Sequence, residues 1–201
     1  MDNTDKLIEL FKEFPGIGPR QAKRFVYFLL NRNPAYANDL AKLILEVSKT
    51  VHTCESCFRF IDNKNVQNRA LNICAVCADE SRDKSLLMLV SHDVDFENIE
   101  RTKSYNGYYF VLGGNIPILE KNPERRIRQK ELLEKAEKQK LSEIIIALNY
   151  NPEGENTLTY LKELLSPFDV KLSTLGRGLS TGTELEYSDS DTIKNALKNR
   201  Q

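Results

Sequence analysis

Two Cys-x-x-Cys pairs, Cys54 with Cys57 and Cys74 with Cys77, constrain this chain more than any other feature. Sixteen residues separate the pairs, and the sequence has no other cysteine. A pair at this spacing lies on a tight turn that directs two sulfurs at one point, so two pairs complete a tetrahedral four-thiolate site. Zn²⁺ suits such a site because it is borderline-soft and needs no redox chemistry. The spacing therefore predicts one structural zinc ion.

The alternative use of four cysteines is two disulfides, which require an oxidising compartment. The first residues of the chain are polar and acidic and lack the apolar segment of a secretory signal. We therefore expect a reduced, cytoplasmic protein. A thioredoxin-type redox site would need only one of the two pairs. His52, two residues before Cys54, competes as a ligand, but four cysteines already complete the site.

Composition excludes a protein that is basic throughout. The 201 residues include 29 Lys and Arg and 29 Asp and Glu, so the formal net charge is zero. A nucleic-acid partner would then need a locally basic face, because partners respond to the local field. No apolar run is long enough to span a bilayer, so we expect no membrane partner. The length permits one or two domains with a real core.

Residues 1–53 read as three helices, the first two joined by a glycine turn. Apolar residues recur at helical spacing before Pro15, and the segment 15–19 reads Pro-Gly-Ile-Gly-Pro. A third helix is predicted over 35–50. The residues expected to face inward are, in the first helix, Leu7, Leu10 and Phe11, in the second, Ala22, Phe25, Val26 and Leu29, and in the third, Leu40, Leu43, Ile44 and Val47.

The turn and the start of the second helix form a helix-hairpin-helix pattern that suits an anion. Gly16 and Gly18 permit a tight turn with its backbone N–H groups exposed at a helix N-terminus, where the dipole favours negative charge. Arg20, Lys23 and Arg24 lie in one arc of the following helix. Two interpretations stay open on spacing alone: a phosphate-contacting face for nucleic acid, or a solvated basic helix face.

Residues 54–78 predict a small metal module whose folding depends on the ion, since so short a segment cannot build a core. Phe58, Phe60 and Ile61 are expected to cover the metal.

Residues 79–174 alternate between buried strands and helices. Strands are predicted over 86–90, 107–112, 143–148 and 170–174, and helices over 93–103, 125–139 and 156–165. Val94, Phe96 and Ile99 are expected to face inward from the first of these helices. The alternation indicates a mostly parallel sheet covered by helices on both faces.

Acidic residues gather where two of these strands end. Asp93 and Asp95 follow the first strand, and Glu153 and Glu155 follow the third. Ligands of parallel sheets lie at the carboxyl ends of the strands, so these carboxylates are candidate Mg²⁺ ligands for phosphoryl transfer. No nucleophile and no Walker A loop accompany them.

The last segment, 175–201, is rich in glycine and then strand-like around 184–187, with a final helix over 191–198. It is either a weak phosphate-loop candidate or a loop that packs or joins subunits.

The order of these parts resembles the bacterial RecR family of recombination mediators. The resemblance is carried by the segments 14–18, 107–114, 149–155 with its Glu-Gly-Glu, and 182–187, together with the two cysteine pairs. It implies an α/β multidomain fold. Its parts are a helix-hairpin-helix region (1–53), a four-cysteine zinc finger (54–78), a Toprim-like mostly parallel α/β domain (79–174), and a C-terminal strand-helix segment (175–201).

The resemblance also implies a function. RecR proteins are DNA-repair factors rather than enzymes. They form ring-like tetramers that encircle DNA and act with RecO or RecF to load RecA on single-stranded DNA. By resemblance, Gly16, Gly18, Arg20, Lys23 and Arg24 would face single- or double-stranded DNA without reading its sequence. Glu153 and Glu155 would lie on the surface where partners bind.

Two departures bear on chemistry. Toprim domains usually place a glutamate at the end of their first strand, where this chain has Ser91, and their Asp-x-Asp is replaced by a stretch with Asn149 and Asn151. Both differences count against a Mg²⁺-dependent nuclease or topoisomerase, the alternative function. The spacer of sixteen residues between the cysteine pairs is also longer than is usual in the family.

Overall fold

The computed structural model describes residues 1–62, 66–68, 72–176, 178–179, 182 and 184–199, with the backbone alone for 66–68. The chain divides into two compact units, Met1–Val51 and His52–Gln201. No helix among the described residues has the length and apolar character that crossing a membrane requires.

The first unit contains three helices: α1 (Asn3–Lys12), α2 (Pro19–Leu30) and α3 (Pro34–Thr50). Capping residues define where α1 and α3 begin. The Asp2 carboxylate accepts a hydrogen bond from the Asp5 N–H at 2.7 Å, and the Asn33 side chain accepts one from the Tyr36 N–H at 2.9 Å. Proline is the first residue of both α2 and α3, where its missing N–H costs nothing.

The small core of this unit lies between α1 and α2. Ala22 and Val26 are buried, and the Phe11 ring lies 5.9 Å from that of Phe25, which is itself still partly exposed. The predicted inward face of α3 is wrong for the single chain. Leu43, Ile44 and Val47 are 58%, 60% and 55% exposed, and no residue of α3 is buried. The amphipathic stripe is present, but the other two helices of this unit do not cover it.

The remainder of the chain supplies eight strands and five helices among the described residues. The strands are β1 (Val51–Thr53), β2 (Phe60–Asp62), β3 (Val66–Asn68), β4 (Ile73–Cys74), β5 (Asp83–Val90), β6 (Gly107–Val111), β7 (Glu143–Ala147) and β8 (Lys171–Thr174). The helices are α4 (Ala75–Ala78), α5 (Asp93–Thr102), α6 (Gln129–Lys138), α7 (Pro152–Leu165) and α8 (Ser190–Lys198). Short 3₁₀ turns lie at Pro123–Arg125 and Leu185–Tyr187.

The core of the second unit is a four-stranded parallel sheet in the order β6-β5-β7-β8, so β6 is an edge strand. Alternate residues of β5 serve both faces. Leu87 and Leu89 pack with residues of α6 and α7, whereas Met88 and Val90 pack with Phe96 of α5. The predicted fold class, with helices on both faces of a parallel sheet, is confirmed.

Several predicted boundaries and orientations are corrected. Helix α6 begins at Gln129 rather than 125, because a 3₁₀ turn precedes it. Helix α7 begins four residues earlier than predicted, because the Asn151 side chain accepts the Gly154 N–H and caps it there. Val94 is exposed rather than inward. The strand expected around 184–187 is wrong, since a 3₁₀ turn occupies Leu185–Tyr187.

The sheet has one topological switch. After β5 the chain passes to α5 on one face, and after the adjacent strand β7 it passes to α7 on the other. Connections that leave neighbouring strands in opposite directions open a crevice at their carboxyl ends. Gly154 lies in the first turn of α7 at this point, and a Cβ there would lie 2.0 Å from the Asn149 carbonyl oxygen.

Replacing Gly154 with alanine should therefore force the segment between β7 and α7 to move. We expect a loss of about 1–3 kcal/mol in the free energy of unfolding, as is typical of an overpacked site, measured by urea denaturation. Gly176→Ala is the matched control, because no atom of the described residues lies within 4 Å of a Cβ at Gly176. Equal stability of both variants and the parent would contradict the close approach.

Candidate metal centre and nucleic-acid interface

The four cysteines converge on one point. Cys54 follows β1, Cys57 lies three residues later, Cys74 ends β4, and Cys77 lies in α4. Their four sulfur atoms all lie within 4.8 Å of one another, and none of the cysteines is in a disulfide. The alternative of two disulfides is therefore not the arrangement that the structure adopts.

The spacing of the sulfurs fits a tetrahedral metal site. Four sulfurs at a Zn–S distance of about 2.3 Å lie roughly 3.8 Å from one another, and the Sγ atoms of Cys57 and Cys74 are 3.7 Å apart. Cys54, Cys57 and Cys74 are buried, and Cys77 is nearly so. The set is complete without His52, whose side chain is exposed and outside the cluster. Four sulfur ligands with no other group in the cluster make a closed site of the structural kind.

Each cysteine thiol strongly shifts the pKa of its neighbours in the cluster. Hydrogen bonds from Cys57, and then from Cys74 and Cys77, hold the pKa of the Cys54 thiol far below its usual range. The hydrogen bond that Cys57 makes to Cys54 raises the pKa of Cys57 in turn. A divalent cation removes this conflict, because it binds all four groups as thiolates.

The first cysteine turn is bound tightly to the edge of the parallel sheet. The Val111 N–H of β6 donates a hydrogen bond to the Cys57 carbonyl at 2.8 Å. The Phe60 N–H donates to the Asp93 carboxylate at 2.6 Å. The Arg59 guanidinium lies 4.2 Å above the Phe96 ring of α5. Metal module and α/β domain therefore share one packed unit.

Of the three residues expected to cover the metal, one packs with the cysteines and two do not. Ile61 is buried with the cysteines, as predicted. Phe58 instead turns to the sheet, where its ring lies 5.1 Å from that of Phe110, and Phe60 is exposed. Phe58 has a φ of 64°, which is uncommon for a bulky side chain. Its packing against the sheet holds the backbone in that conformation.

The glycine turn before α2 has the predicted form. Gly16 has a φ of 74°, a conformation that favours glycine, and the Ile17 N–H donates to the Phe14 carbonyl at 3.0 Å. Gly18 is the N-cap of α2, and no side chain caps this helix. The N–H groups of the first turn of α2 therefore have no side-chain acceptor at the N-cap.

The predicted basic face is exposed. Arg20, Lys23 and Arg24 all lie on the solvent side of α2, and the first turn of that helix contains no acidic residue. Arg24 makes one long hydrogen bond, 3.4 Å, to the Gln21 side chain. The arrangement presents positive charge beside a helix N-terminus, which is the geometry that attracts an anion.

Comparison with known proteins assigns the chain to a family. Its residues 4–48 match the RecR helix-hairpin-helix model, 85–176 the Toprim domain model, and 178–201 the RecR C-terminal model. A recombination protein RecR of Bifidobacterium longum subsp. infantis is 38% identical over 98% of this chain and 94% of its own length. One from Chloroflexus aurantiacus is 37% identical over 98% and 92%. This chain belongs to the RecR family. Its role is accordingly in DNA recombination and repair.

The RecR-type α/β domain does not bring the four predicted acids together. Among the described residues, the four-cysteine cluster is the one group of three or more Cys, His, Asp or Glu close enough to share a metal ion. Asp93 instead accepts the Phe60 N–H. Asp95 accepts the His92 N–H at 3.1 Å in the cap of α5. The Mg²⁺ site considered from sequence is therefore corrected: two of its acids are structural.

The crevice of the sheet contains neutral groups at the positions that departed from the Toprim pattern. Ser91, at the end of β5, is buried, and its hydroxyl donates to the Asn115 side chain at 2.7 Å. Asn151 is the cap of α7. A buried glutamate at position 91 would need a different set of partners.

The predicted partner residues differ in exposure. Glu153 is exposed in the first turn of α7, and Glu155, one residue beyond the buried Gly154, is partly buried. In the glycine-rich segment after β8, Arg177, Ser180, Thr181 and Thr183 lie outside the described residues.

Sequence reasoning missed Lys135 of α6. Its ammonium donates hydrogen bonds to the carbonyl and hydroxyl oxygens of Ser56, at 2.9 and 3.1 Å, between Cys54 and Cys57. Burial lowers the pKa of Lys135, and the neighbouring cysteine sulfurs oppose that shift. In the sequence Lys135 is one of many lysines on a charged helix, so no local signal distinguishes it.

Replacing Cys57 with serine should remove the metal. A serine hydroxyl is a poor replacement for a thiolate, so we expect the zinc content to fall from one ion per chain toward none. Thermal unfolding should begin at a lower temperature, because metal binding contributes to folding. Atomic absorption and circular dichroism measure the two effects. Glu55→Ala, an exposed change in the same turn, should retain the ion. A metal-free Cys57→Ser protein with the parent's stability would contradict the structural role.

Replacing Asp93 with alanine should weaken the contact between the metal module and α5. The Phe60 N–H loses its acceptor at an exposed position, where water can replace it, so we expect a loss of about 0.5–1.5 kcal/mol in the free energy of unfolding, measured by urea denaturation. Glu97→Ala on the exposed side of α5 is the control and should change it by less than about 0.5 kcal/mol. Equal effects of the two substitutions would show that Asp93 does not hold the module.

Proposed function

We propose that this protein is a DNA-binding recombination mediator that acts as a ring-like tetramer. In this proposal it binds single- and double-stranded DNA without sequence specificity and acts with RecO or RecF to load RecA on single-stranded DNA. It performs no catalytic step and works in the cytoplasm. The observation that carries the proposal is the exposed basic face of Arg20, Lys23 and Arg24 beside the uncapped N-terminus of α2.

This face has the chemistry of a phosphate contact. Backbone N–H groups and the helix dipole favour negative charge at the start of α2, and three cations follow within two turns of helix. Contacts of this kind position a nucleic-acid backbone but do not distinguish bases. Sequence-independent binding is therefore the form of recognition that these residues support.

Gly18 adds a second argument. Its φ of −82° is accessible to any residue, and no atom lies within 4 Å of a Cβ built there. Nothing among its described neighbours requires glycine at this position. A partner whose backbone approaches the turn closely would require it, because a side chain would hold that partner away.

The tetramer is supported by the uncovered face of α3. Leu43, Ile44 and Val47 form an apolar stripe at helical spacing that a single chain leaves exposed. Contiguous exposed apolar surface on a soluble protein commonly marks a protein interface. We assign this stripe to contact between copies of the chain.

Assembly would also offset the zero net charge of the protomer. One basic face of three residues binds DNA weakly and in a salt-sensitive manner. Several such faces on one ring engage the same DNA with a high effective concentration. Glu153, exposed at the first turn of α7, and Glu155 are the residues proposed for contact with RecO or RecF.

Replacing Arg20, Lys23 and Arg24 together with alanine tests the DNA interface. We expect at least a roughly tenfold loss of affinity at low salt and a shallower dependence of affinity on salt, because fewer counterions are released. Fluorescence anisotropy with labelled DNA of two unrelated sequences measures both. Lys130, Lys140 and Lys162, all exposed, provide the control triple alanine variant with the same change in charge. Equal losses for the two variants would mean that net charge alone governs binding.

Replacing Ile44 with glutamate tests the oligomer. Light scattering on the parent should give four times the chain mass of 23.1 kDa, and the variant should give a smaller species, because a buried unpaired charge opposes association. Leu119→Glu, at a highly exposed apolar residue of the second unit, is the control and should remain tetrameric. A tetrameric Ile44→Glu protein would exclude α3 from the interface.

A further inference from the structure

Lys135 is the feature of the metal centre that the proposed function does not use. It lies in α6, 79 positions from Ser56 in sequence, yet its ammonium donates to both the carbonyl and the hydroxyl oxygen of that residue. Ser56 lies inside the first cysteine turn, so a cation is held between Cys54 and Cys57 without being a ligand.

The contact is specific to this lysine. Lys138, one turn later in α6, pairs with Glu134 of its own helix at 3.1 Å and is exposed. Lys130, near the start of the helix, is also exposed. Lys135 and Lys138 both line the groove between α6 and the cysteine turn, beside Phe58. Of these three lysines, Lys135 is the one that donates to Ser56.

A positive charge beside a tetrathiolate metal centre is electrostatically favourable. Four thiolates around one divalent ion leave an excess of two negative charges, and three of the four sulfurs here belong to buried residues. Buried charge without a partner is unfavourable, and groups around a metal site commonly tune its ligands. Burial lowers the pKa of Lys135, and all four cysteines oppose that shift, which fits an ammonium close to the cysteine cluster.

We propose that Lys135 is a positioning residue of the metal centre: its ammonium holds the Cys54 and Cys57 turn through Ser56 and partly neutralises the zinc tetrathiolate, which slows loss of the ion. The inference rests on the proposed zinc site. In this inference, α6 places a positive charge beside a metal site whose ligands all lie between residues 54 and 77.

The experiment measures zinc release from the full-length metal-loaded protein into excess chelator, followed with a chromogenic zinc indicator. Lys135→Met keeps the length of the side chain but removes its charge, and Lys135→Arg keeps the charge. We expect about tenfold faster release from Lys135→Met, the scale typical of groups that support metal ligands. Lys135→Arg should stay within about threefold of the parent. Lys138→Met is the control and should match the parent.

The release rates distinguish two possible contributions of Lys135, the charge of its side chain and the packing of its side chain. Release from Lys135→Met at the parent's rate, with Lys135→Arg faster, would show that only the shape of the side chain matters and would overturn the proposal. If Lys138→Met accelerates zinc release as much as Lys135→Met does, the effect is not specific to Lys135 and the proposal is overturned. Cobalt-substituted protein gives an independent readout, because the thiolate-to-cobalt absorption should keep its tetrahedral form in Lys135→Met while the metal affinity falls.

Two further results complete the test. If Lys135→Met does not accumulate as folded protein, Lys135→Gln is the second variant, because it removes the charge and keeps a polar side chain. Its zinc release should also be faster than the parent's, and release at the parent's rate would overturn the proposal. A parent protein that binds neither zinc nor cobalt would overturn the metal centre itself. A parent that binds zinc while all Lys135 variants release it equally would overturn only the role of Lys135.

Discussion

The hydrogen bond from the Val111 N–H to the Cys57 carbonyl joins the metal centre to the fold. β6 is an edge strand, and an edge strand presents unpaired backbone groups that attract other chains. Here the first cysteine turn covers part of that edge, and the Tyr108 hydroxyl extends the contact by donating to the Asp79 carbonyl at 2.8 Å. The residues that carry two of the four sulfurs therefore also cover part of the edge of the sheet.

The same dependence explains why an acid at the carboxyl end of β5 is not available for chemistry. Asp93 lies where a parallel sheet would place a ligand, but its carboxylate accepts the Phe60 N–H from the metal module. Ser91, the neighbouring residue of the crevice, is buried and bonded to Asn115. In this Toprim domain, Asp93 attaches the metal module to the sheet.

The helical unit differs from the α/β domain, because one of its three helices has no buried residue. α2 buries Ala22 and Val26 against α1, but α3 buries nothing. A helix of this length is marginal in water without packing of its apolar face. The exposed stripe of α3 is the feature of this unit on which the proposed assembly rests. DNA contact and assembly would then depend on neighbouring helices of one small unit.

Local patterns were sufficient for much of this structure. Cysteine spacing predicted the metal site. Short apolar runs that alternate with helical segments predicted the strands of the parallel sheet. The glycine turn and its basic face followed from residues 15–24. These features depend on residues that are close in sequence, so they can be predicted from the sequence alone. Tertiary structure decided the rest, because it depends on pairs distant in sequence: Lys135 with Ser56, Asp93 with Phe60, and Phe58 with Phe110. It also decided that the stripe on α3 faces outward, since periodicity shows that a helix has an apolar face but not which surface covers it.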